Sequence, residues 1–485
     1  MLIGYAVLLM VIGYFAQRRV ADVEDYVLAG RQLGTGLATI TMIATWFGAE
    51  SLMTTADEVA SDGIRQAMLD PFGISLCLLI AGLVVAGPLW RLGLLTIPDF
   101  FRERYGKLAE AISASILVLS YFSYIAAQYL ALGTLLEQFF GVPLTVGVLG
   151  VAALATGYSL MGGMWSVTWT DLLQMILIVI GLLIMAFEIL SELGDGDLSV
   201  GWAQLRSSSD PEQWTIAGGP QSEAKVLAAV SALAIGALGN LPVQDLMQRI
   251  CSAASDRVAR RACVLAAAGY LLMGLLPILA GLSASLLLTE VPSEGVMTAL
   301  AHRLLSPVSL LIFVLAVVST VLSTVVAAVL APAAVLSQNL VQPLASRWNG
   351  LRTEDSRLAA QRICVLLIVI VSVAFALSGS DAYSLVESSY SLALVGLFAP
   401  FVIGLHLPRA PRLAALASML IGVGLWMVHV ACGWDYFLQP LLAWESTSGI
   451  FSLFKVFPHE LGDALISTAT FLILSGLLVR KPLER

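Results

Sequence analysis

Charged residues in this chain sit in short gaps between apolar runs, and each run is about twenty residues long. A helix of that length crosses a hydrocarbon layer of about 30 Å. Inside hydrocarbon every backbone N–H and C=O must be paired within the protein, so repeated runs of this kind impose a bundle of membrane-spanning helices. Of the 485 residues 59% are hydrophobic and 12% charged, a balance that excludes a soluble domain of this size. There is no Lys/Arg-rich tract for nucleic acid and no Gly-rich phosphate loop. The five cysteines are scattered and read as small apolar fillers, and the four histidines lie too far apart in sequence to give a metal signature. No catalytic domain is expected after the last span, and the chain does not read as an enzyme.

Met1–Ala16 is apolar and is followed by Arg18 and Arg19. A signal peptide would carry its charges first, so this stretch reads as a retained span with its N-terminus outside. Further spans are expected near 35–55, 71–90, 108–139, 143–161, 168–193, 223–242, 260–288, 305–340, 358–379, 383–405, 411–431 and 462–480, about thirteen in all. Loop charge checks the count. With the N-terminus outside and the C-terminus in the cytoplasm, only Arg65, Arg206, Lys225, Arg303 and Lys455 of the 25 basic residues face outward. One missing span would invert every later loop and destroy that bias. The aromatic-rich segment 432–462 is too interrupted to span and fits an interfacial element.

Chemistry concentrates in four stretches. Leu37–Thr54, LATITMIATWFGAESLMT, is long enough to enter a bilayer but carries Trp46, Gly48, Glu50 and Ser51 in its middle. A carboxylate at that depth costs at least about 2.5 kcal/mol, so it faces a cavity, an ion or a polar helix contact. Gly48 weakens the helix beside it, and an unwound turn there frees carbonyls for a cation. Ile235–Pro242, IGALGNLP, is a second Gly-interrupted run. In Tyr158–Met175, YSLMGGMWSVTWTDLLQM, a Gly-Gly turn precedes Asp171 on the next span. In Leu315–Val325, LAVVSTVLSTV, Ala316, Ser319, Thr320 and Ser323 share one helix face, either as oxygen ligands for an alkali cation or bonded back to their own helix.

The Tyr158–Met175 pattern resembles the signature of the sodium/solute symporter family, whose bacterial members carry proline, pantothenate, sialic acid and sugars. Val243–Ala259, VQDLMQRICSAASDRVA, is a second family-like stretch, read as a cytoplasmic connection. The resemblance runs from about Tyr26 to about Leu405. It implies an all-α polytopic fold of the leucine-transporter type, a 5+5 inverted repeat with two broken helices. The first repeat would cover 35–193 and the second 223–405. Peripheral helices would lie at 1–17 and 411–485. The resemblance also implies a sodium site made of Ala44 O, Phe47 O, Ala316 O, Ser319 Oγ and Thr320 Oγ1. A possible second cation would involve Asp171 and Ser323 together with Ser319, unless Asp171 is a structural acceptor.

The substrate pocket is expected between the broken helices near the midplane. Its candidates are Trp46, Glu50, Ser51, Asp70, Gly73, Gly236, Gly239 and Asn240, with Glu387, Ser388 and Tyr390 as an outer gate. Asp70 is read either as a ligand or as a charge at a helix N-terminus before Pro71. Trp46 replaces a polar residue found in several relatives and offers a flat apolar or cation-binding face, which disfavours a sugar. The expected function is sodium-coupled import of a small organic solute, such as proline or another compact metabolite, across the inner membrane. A solute-binding receptor and a proton-coupled symporter are the alternatives. Na+, the solute and the lipid bilayer are the expected partners, with no nucleic acid and no obligate protein partner.

Overall fold

A computed structural model of the chain describes residues 2–216, 222–288, 295–345, 353–378, 382–407, 409–434, 436–437, 439 and 457–479. Among them there is no strand, only two isolated bridges, Leu33 with Ala253 and Tyr436 with Pro458. Most of the aromatic segment 432–462 lies outside the described residues, as does the side chain of Glu50.

The helices that position the site are α1 (Leu2–Ala16), α2 (Thr35–Trp46), α3 (Thr55–Asp62), α4 (Ile64–Leu92), α5 (Lys107–Phe140), α6 (Leu144–Leu193), α7 (Ser222–Ala234), α8 (Gln244–Ser252), α9 (Asp256–Leu287), α10 (Pro307–Val335), α11 (Glu354–Ala376), α12 (Ala382–Phe398), α13 (Arg412–Cys432) and α14 (His459–Val479). Nine helices among the described residues are long and apolar enough to cross a membrane, and a tenth results if the bent pair Lys225–Gly239 and Gln244–Ser252 is one span. α1, the α2–α3 unit and Leu144–Gly157 are shorter. Among the described residues, the runs α2 to α6 and α7 to α12 each open on an interrupted helix.

Both interruptions have local causes. α2 stops at Phe47, whose ψ of 81° leaves the helical region, and Gly48 follows as a bend before the chain re-enters a wide turn at Glu50–Thr54. α7 widens over Ile235–Gly239, and the chain then leaves the helix before Pro242, which has no N–H to continue it. Val243 is extended, and α8 departs at 48°. α8 corrects one expectation: the stretch after Val243 is not a simple cytoplasmic connection. Every residue from Gln244 to Ser252 is buried, because α8 packs against α2 and α10 as the second half of the broken helix.

α9 packs along α2 and α3, and α10 is clasped between α6 and α5. Glycine sets the closest approach. A Cβ on Gly236 would lie 2.3 Å from Leu69 O and 3.1 Å from the Cα of Gly73, so α4 and the second break meet backbone to backbone. α6 is interrupted at Gly163, with φ 50° and ψ −136°, a conformation open essentially to glycine alone. There a Cβ would meet Tyr26 O at 2.4 Å, while the Tyr26 hydroxyl donates to Ser159 O at 2.7 Å. The Gly-Gly turn expected from sequence is thus a wedge of Tyr26 between two spans.

Gly163→Ala should therefore destabilise the protein by about 1–3 kcal/mol from backbone strain alone. Gly150→Ala, where an added Cβ meets nothing within 4 Å, should be neutral or mildly stabilising. Thermal unfolding of the two purified variants in detergent checks the contrast, and equal melting would contradict this account of the turn.

Candidate functional site

The end of α2 frees backbone carbonyls. An α-helix that stops leaves its last carbonyls without N–H partners four residues on. Here the freed Ala44 and Phe47 oxygens face α10, and the side chain that reaches both is Thr324. Its Oγ1 lies 3.4 Å from Ala44 O, 3.3 Å from Phe47 O and 3.2 Å from Thr320 O. One hydroxyl hydrogen cannot serve three carbonyls, and all three distances exceed the usual 2.7–2.8 Å of an O–H···O bond. Thr320 O, inside α10, already accepts from Ser323 Oγ at 2.8 Å. Ala44 O and Phe47 O are freed by the break and meet Thr324 only at long range, and hard oxygens so placed suit a weakly charged cation.

The expected ligands Ser319 and Thr320 turn elsewhere. Ser319 Oγ donates to the Tyr5 hydroxyl on α1 at 2.6 Å, and Thr320 Oγ1 bonds back to Ala316 O at 2.8 Å. The hydroxyl opposite the break therefore comes from one helical turn further along α10. Ser323 Oγ donates to Thr320 O at 2.8 Å. Asp171 is fully buried and accepts from Thr41 Oγ1 of α2, while its Oδ1 has no hydrogen-bond partner among the described residues. The Asp171–Thr41 contact ties α6 to the first broken helix.

On the other side of the break lies a second polar knot. Ser51 Oγ donates to Asp70 Oδ2 at 2.5 Å and lies 2.7 Å from the Tyr270 hydroxyl, which is 3.0 Å from both Asp70 Oδ2 and Trp46 O. Ser51, Asp70 and Tyr270 are all buried, on three different elements. The Tyr270 ring also stands edge-on to Phe47 with centroids 5.5 Å apart. A hollow of about 20 Å³, room for one water-sized group, lies beside Asp70 and is lined also by Thr55, Glu58 and Tyr390. Further out, a cavity of about 280 Å³ is lined by Asp62, Arg65, Lys225, Glu387 and Glu460. Gln66 borders both spaces, so they adjoin one another.

The remaining candidates take more structural positions. The Trp46 indole is not turned to Asp70; its Nε1 donates to Asp245 Oδ2 of α8 at 3.0 Å. Gly73 and Gly236 form the backbone contact described above. A Cβ on Gly239 would lie 2.6 Å from Tyr390 O, and Asn240 donates its amide to Gly236 O at 3.0 Å. Glu387 lines the outer cavity, Ser388 is half-buried beside it, and the buried Tyr390 ring lies 5.7 Å from that of Tyr124 on α5.

Sequence reasoning missed Thr324, Tyr270, Tyr5 and the pair Asp245 and Arg249. Arg249 is fully buried, and the carboxylates of both Asp171 and Asp245 act on it electrostatically. The i, i+4 spacing of Asp245 and Arg249 was the available signal for that pair.

Comparison with known proteins gives the family and the fold. The model of the Sodium:solute symporter family matches residues 26–422. The human high affinity choline transporter 1 is 26% identical over 461 residues, covering 91% of this chain and 78% of the relative. The high-affinity proline transporter PutP of Bacillus subtilis (strain 168) is 26% identical over 454 residues, covering 90% and 92%. Among solved structures, a Na+-coupled sialic acid symporter superposes with a TM-score of 0.75 at 14% identity, over 98% of this chain and 97% of that one. The nucleobase-cation-symport-1 family transporter Mhp1 superposes with a TM-score of 0.58 at 14% identity, over 93% and 94%. The resemblance read from Tyr158–Met175 is borne out, and the chain is a membrane transporter rather than an enzyme. It belongs to the sodium:solute symporter family.

Proposed function

We propose that this chain couples the entry of sodium to the import of a compact solute bearing a positively charged nitrogen. The observation that carries the sodium half is the three-carbonyl cluster round Thr324. Its oxygen separations of 3.2–3.4 Å are those kept by ligands around an ion bound at about 2.4 Å. The proposed ligands are Ala44 O, Phe47 O, Thr320 O and Thr324 Oγ1, with Ser323 Oγ adjacent. This keeps the two carbonyls expected from sequence and moves the helix ligands by one turn. Asp171, bonded to Thr41 and facing Arg249, is proposed as a structural acceptor rather than a second ion ligand.

The solute half rests on Asp70. A buried carboxylate among Ser51, Tyr270 and Tyr390, with the Phe47 and Tyr270 rings adjacent, is suited to a desolvated cation held by charge and by aromatic faces. Choline and proline, the solutes named for the two curated relatives, both carry such a nitrogen. We propose the outer cavity at Glu387 as the entrance and the small hollow at Asp70 as the closed remnant of the binding site. The proposed layout is thirteen spans in the inner membrane, N-terminus outside and C-terminus in the cytoplasm. Binding of sodium favours the arrangement of the first broken helix that also binds solute, which couples the two.

Two experiments test this reading. Thr324→Val keeps the side-chain shape and removes the hydroxyl, so the sodium concentration for half-maximal uptake in proteoliposomes should rise at least tenfold, or about 1.4 kcal/mol. Ser319→Ala should change it by less than about threefold, or 0.7 kcal/mol. The reverse ranking would return the site to the earlier turn. Separately, Asp70→Asn should weaken binding of an ammonium-bearing solute at least tenfold while leaving the level of protein in the membrane unchanged. Equal binding by Asp70→Asn would remove Asp70 from the solute site.

A further inference from the structure

Beside the proposed entrance, α13 and α14 bury a cluster of histidines and a carboxylate that the proposed function does not use. The His429 Nδ1 lies 3.2 Å from Asp463 Oδ2, and the His459 Nδ1 lies 3.6 Å from the same oxygen. One ligand atom from each of the three residues falls within a sphere of contacts no wider than 4.8 Å. Asp463 is fully buried, His429 is 4% exposed, and neither Asp463 oxygen has a hydrogen-bond partner among the described residues. His459 and Asp463 are four residues apart, one above the other on a single face of α14.

From this geometry we propose that His429, His459 and Asp463 bind one divalent transition-metal ion of the zinc class. Ligands of a tetrahedral ion at about 2.0–2.1 Å stand about 3.3 Å from one another, which the 3.2 and 3.6 Å separations match. The far sides of both rings are anchored as metal-bound histidines usually are. His429 Nε2 faces Phe437 O at 3.1 Å, and His459 Nε2 faces Glu460 Oε1 at 3.1 Å. Donation of Nε2–H to Glu460 leaves the His459 Nδ1 without a hydrogen-bond partner among the described residues. The His429 Nδ1 also faces Leu425 O at 2.9 Å, so an ion bound there takes the place of the Nδ1 proton. The rings are held in register by stacking, 5.0 Å apart and 7° from parallel. A divalent cation in place of the protons would satisfy the buried Asp463 carboxylate and both rings together.

Access and consequence follow from position. Pro458 and Glu460, the neighbours of His459, line the 280 Å³ cavity that also contains Glu387, so an ion in that vestibule reaches the site without crossing the bundle. Bound there, it would clamp α13 to α14 and add positive charge beside Glu460 at the mouth of the pathway.

The test uses the full chain purified in detergent, stripped with a chelator and titrated with Zn2+ by calorimetry, and with Co2+ as a spectroscopic probe. The wild type should take up one Zn2+ per chain and melt at a higher temperature with it. Co2+ should give the intense visible bands of a tetrahedral site. His459→Gln and Asp463→Asn should each weaken Zn2+ binding at least a hundredfold, whereas Cys432→Ser, which removes an exposed thiol one turn from His429, should leave it intact. Absence of stoichiometric Zn2+ in the wild type overturns the proposal, as does undiminished binding by the two ligand variants. Stabilisation by mild acid without metal binding would show a proton-bridged His–Asp pair in its place and equally overturn it. Should the variants fail to fold, the wild-type Co2+ spectrum decides, an octahedral spectrum counting against the site.

Discussion

The break between Phe47 and Gly48 is the constraint on which the rest depends. A continuous helix would consume the carbonyls of Ala44 and Phe47 in its own ladder and leave nothing for an ion. By stopping there, the chain exposes polar oxygens in the middle of an apolar bundle, where each unsatisfied group costs several kcal/mol. The surrounding structure exists to compensate that cost. Thr324 answers two carbonyls from α10, Tyr270 and Ser51 answer Trp46 O, and Gln128 of α5 accepts from Ala49 N at 3.1 Å. Compensation by long, single hydroxyl contacts is incomplete at the Thr324 side, and that incompleteness is what gives a cation something to gain.

The same break is where the two halves of the protein meet. α2 lies in the proposed first repeat, yet its end is held by α8, α9 and α10 of the proposed second. The Trp46 indole bonds Asp245 on α8, the Phe47 ring rests against Tyr270 on α9, and Thr324 comes from α10. A movement of one repeat against the other must change the spacing between the carbonyls and Thr324 and also the Ser51–Asp70–Tyr270 knot. In the proposed mechanism ion and solute need no direct contact to influence each other, because both sites are built on one short stretch of backbone. The buried Arg249 donates its Nη1 to Asp245 O at 3.3 Å within α8.

Much of this was legible in the sequence because a bilayer is a severe judge of sequence. Spans declare themselves by length, and Gly48 and Glu50 inside a span announced the first break, as Gly236 and Gly239 did the second. The register of α10 was not legible. LAVVSTVLSTV contains two Ser–Thr pairs four residues apart, and helical periodicity puts both pairs on the same face, so the sequence cannot say which turn lies opposite Phe47. Only the height at which α10 packs on α6 decides it. Tyr270 gave no signal because a single tyrosine in an apolar run has no spacing to read. α8 was mistaken for a connection because its polar residues meet buried groups of other helices instead of water, Gln244 bonding Leu95 O and Ile97 N and Asp245 the Trp46 indole. His429 and His459 stand thirty residues apart in sequence and become neighbours only when α13 and α14 pair.

The central claim is that one backbone break serves ion and solute together, and thermodynamic reciprocity tests it directly. Sodium affinity of the purified protein should be measured with and without a saturating ammonium-bearing solute, and solute affinity with and without saturating sodium. The account predicts that each ligand tightens the other by the same factor, of about 5–150-fold. Potassium should give no such effect. Independent binding of the two ligands, or solute binding that ignores sodium and follows pH instead, would contradict it.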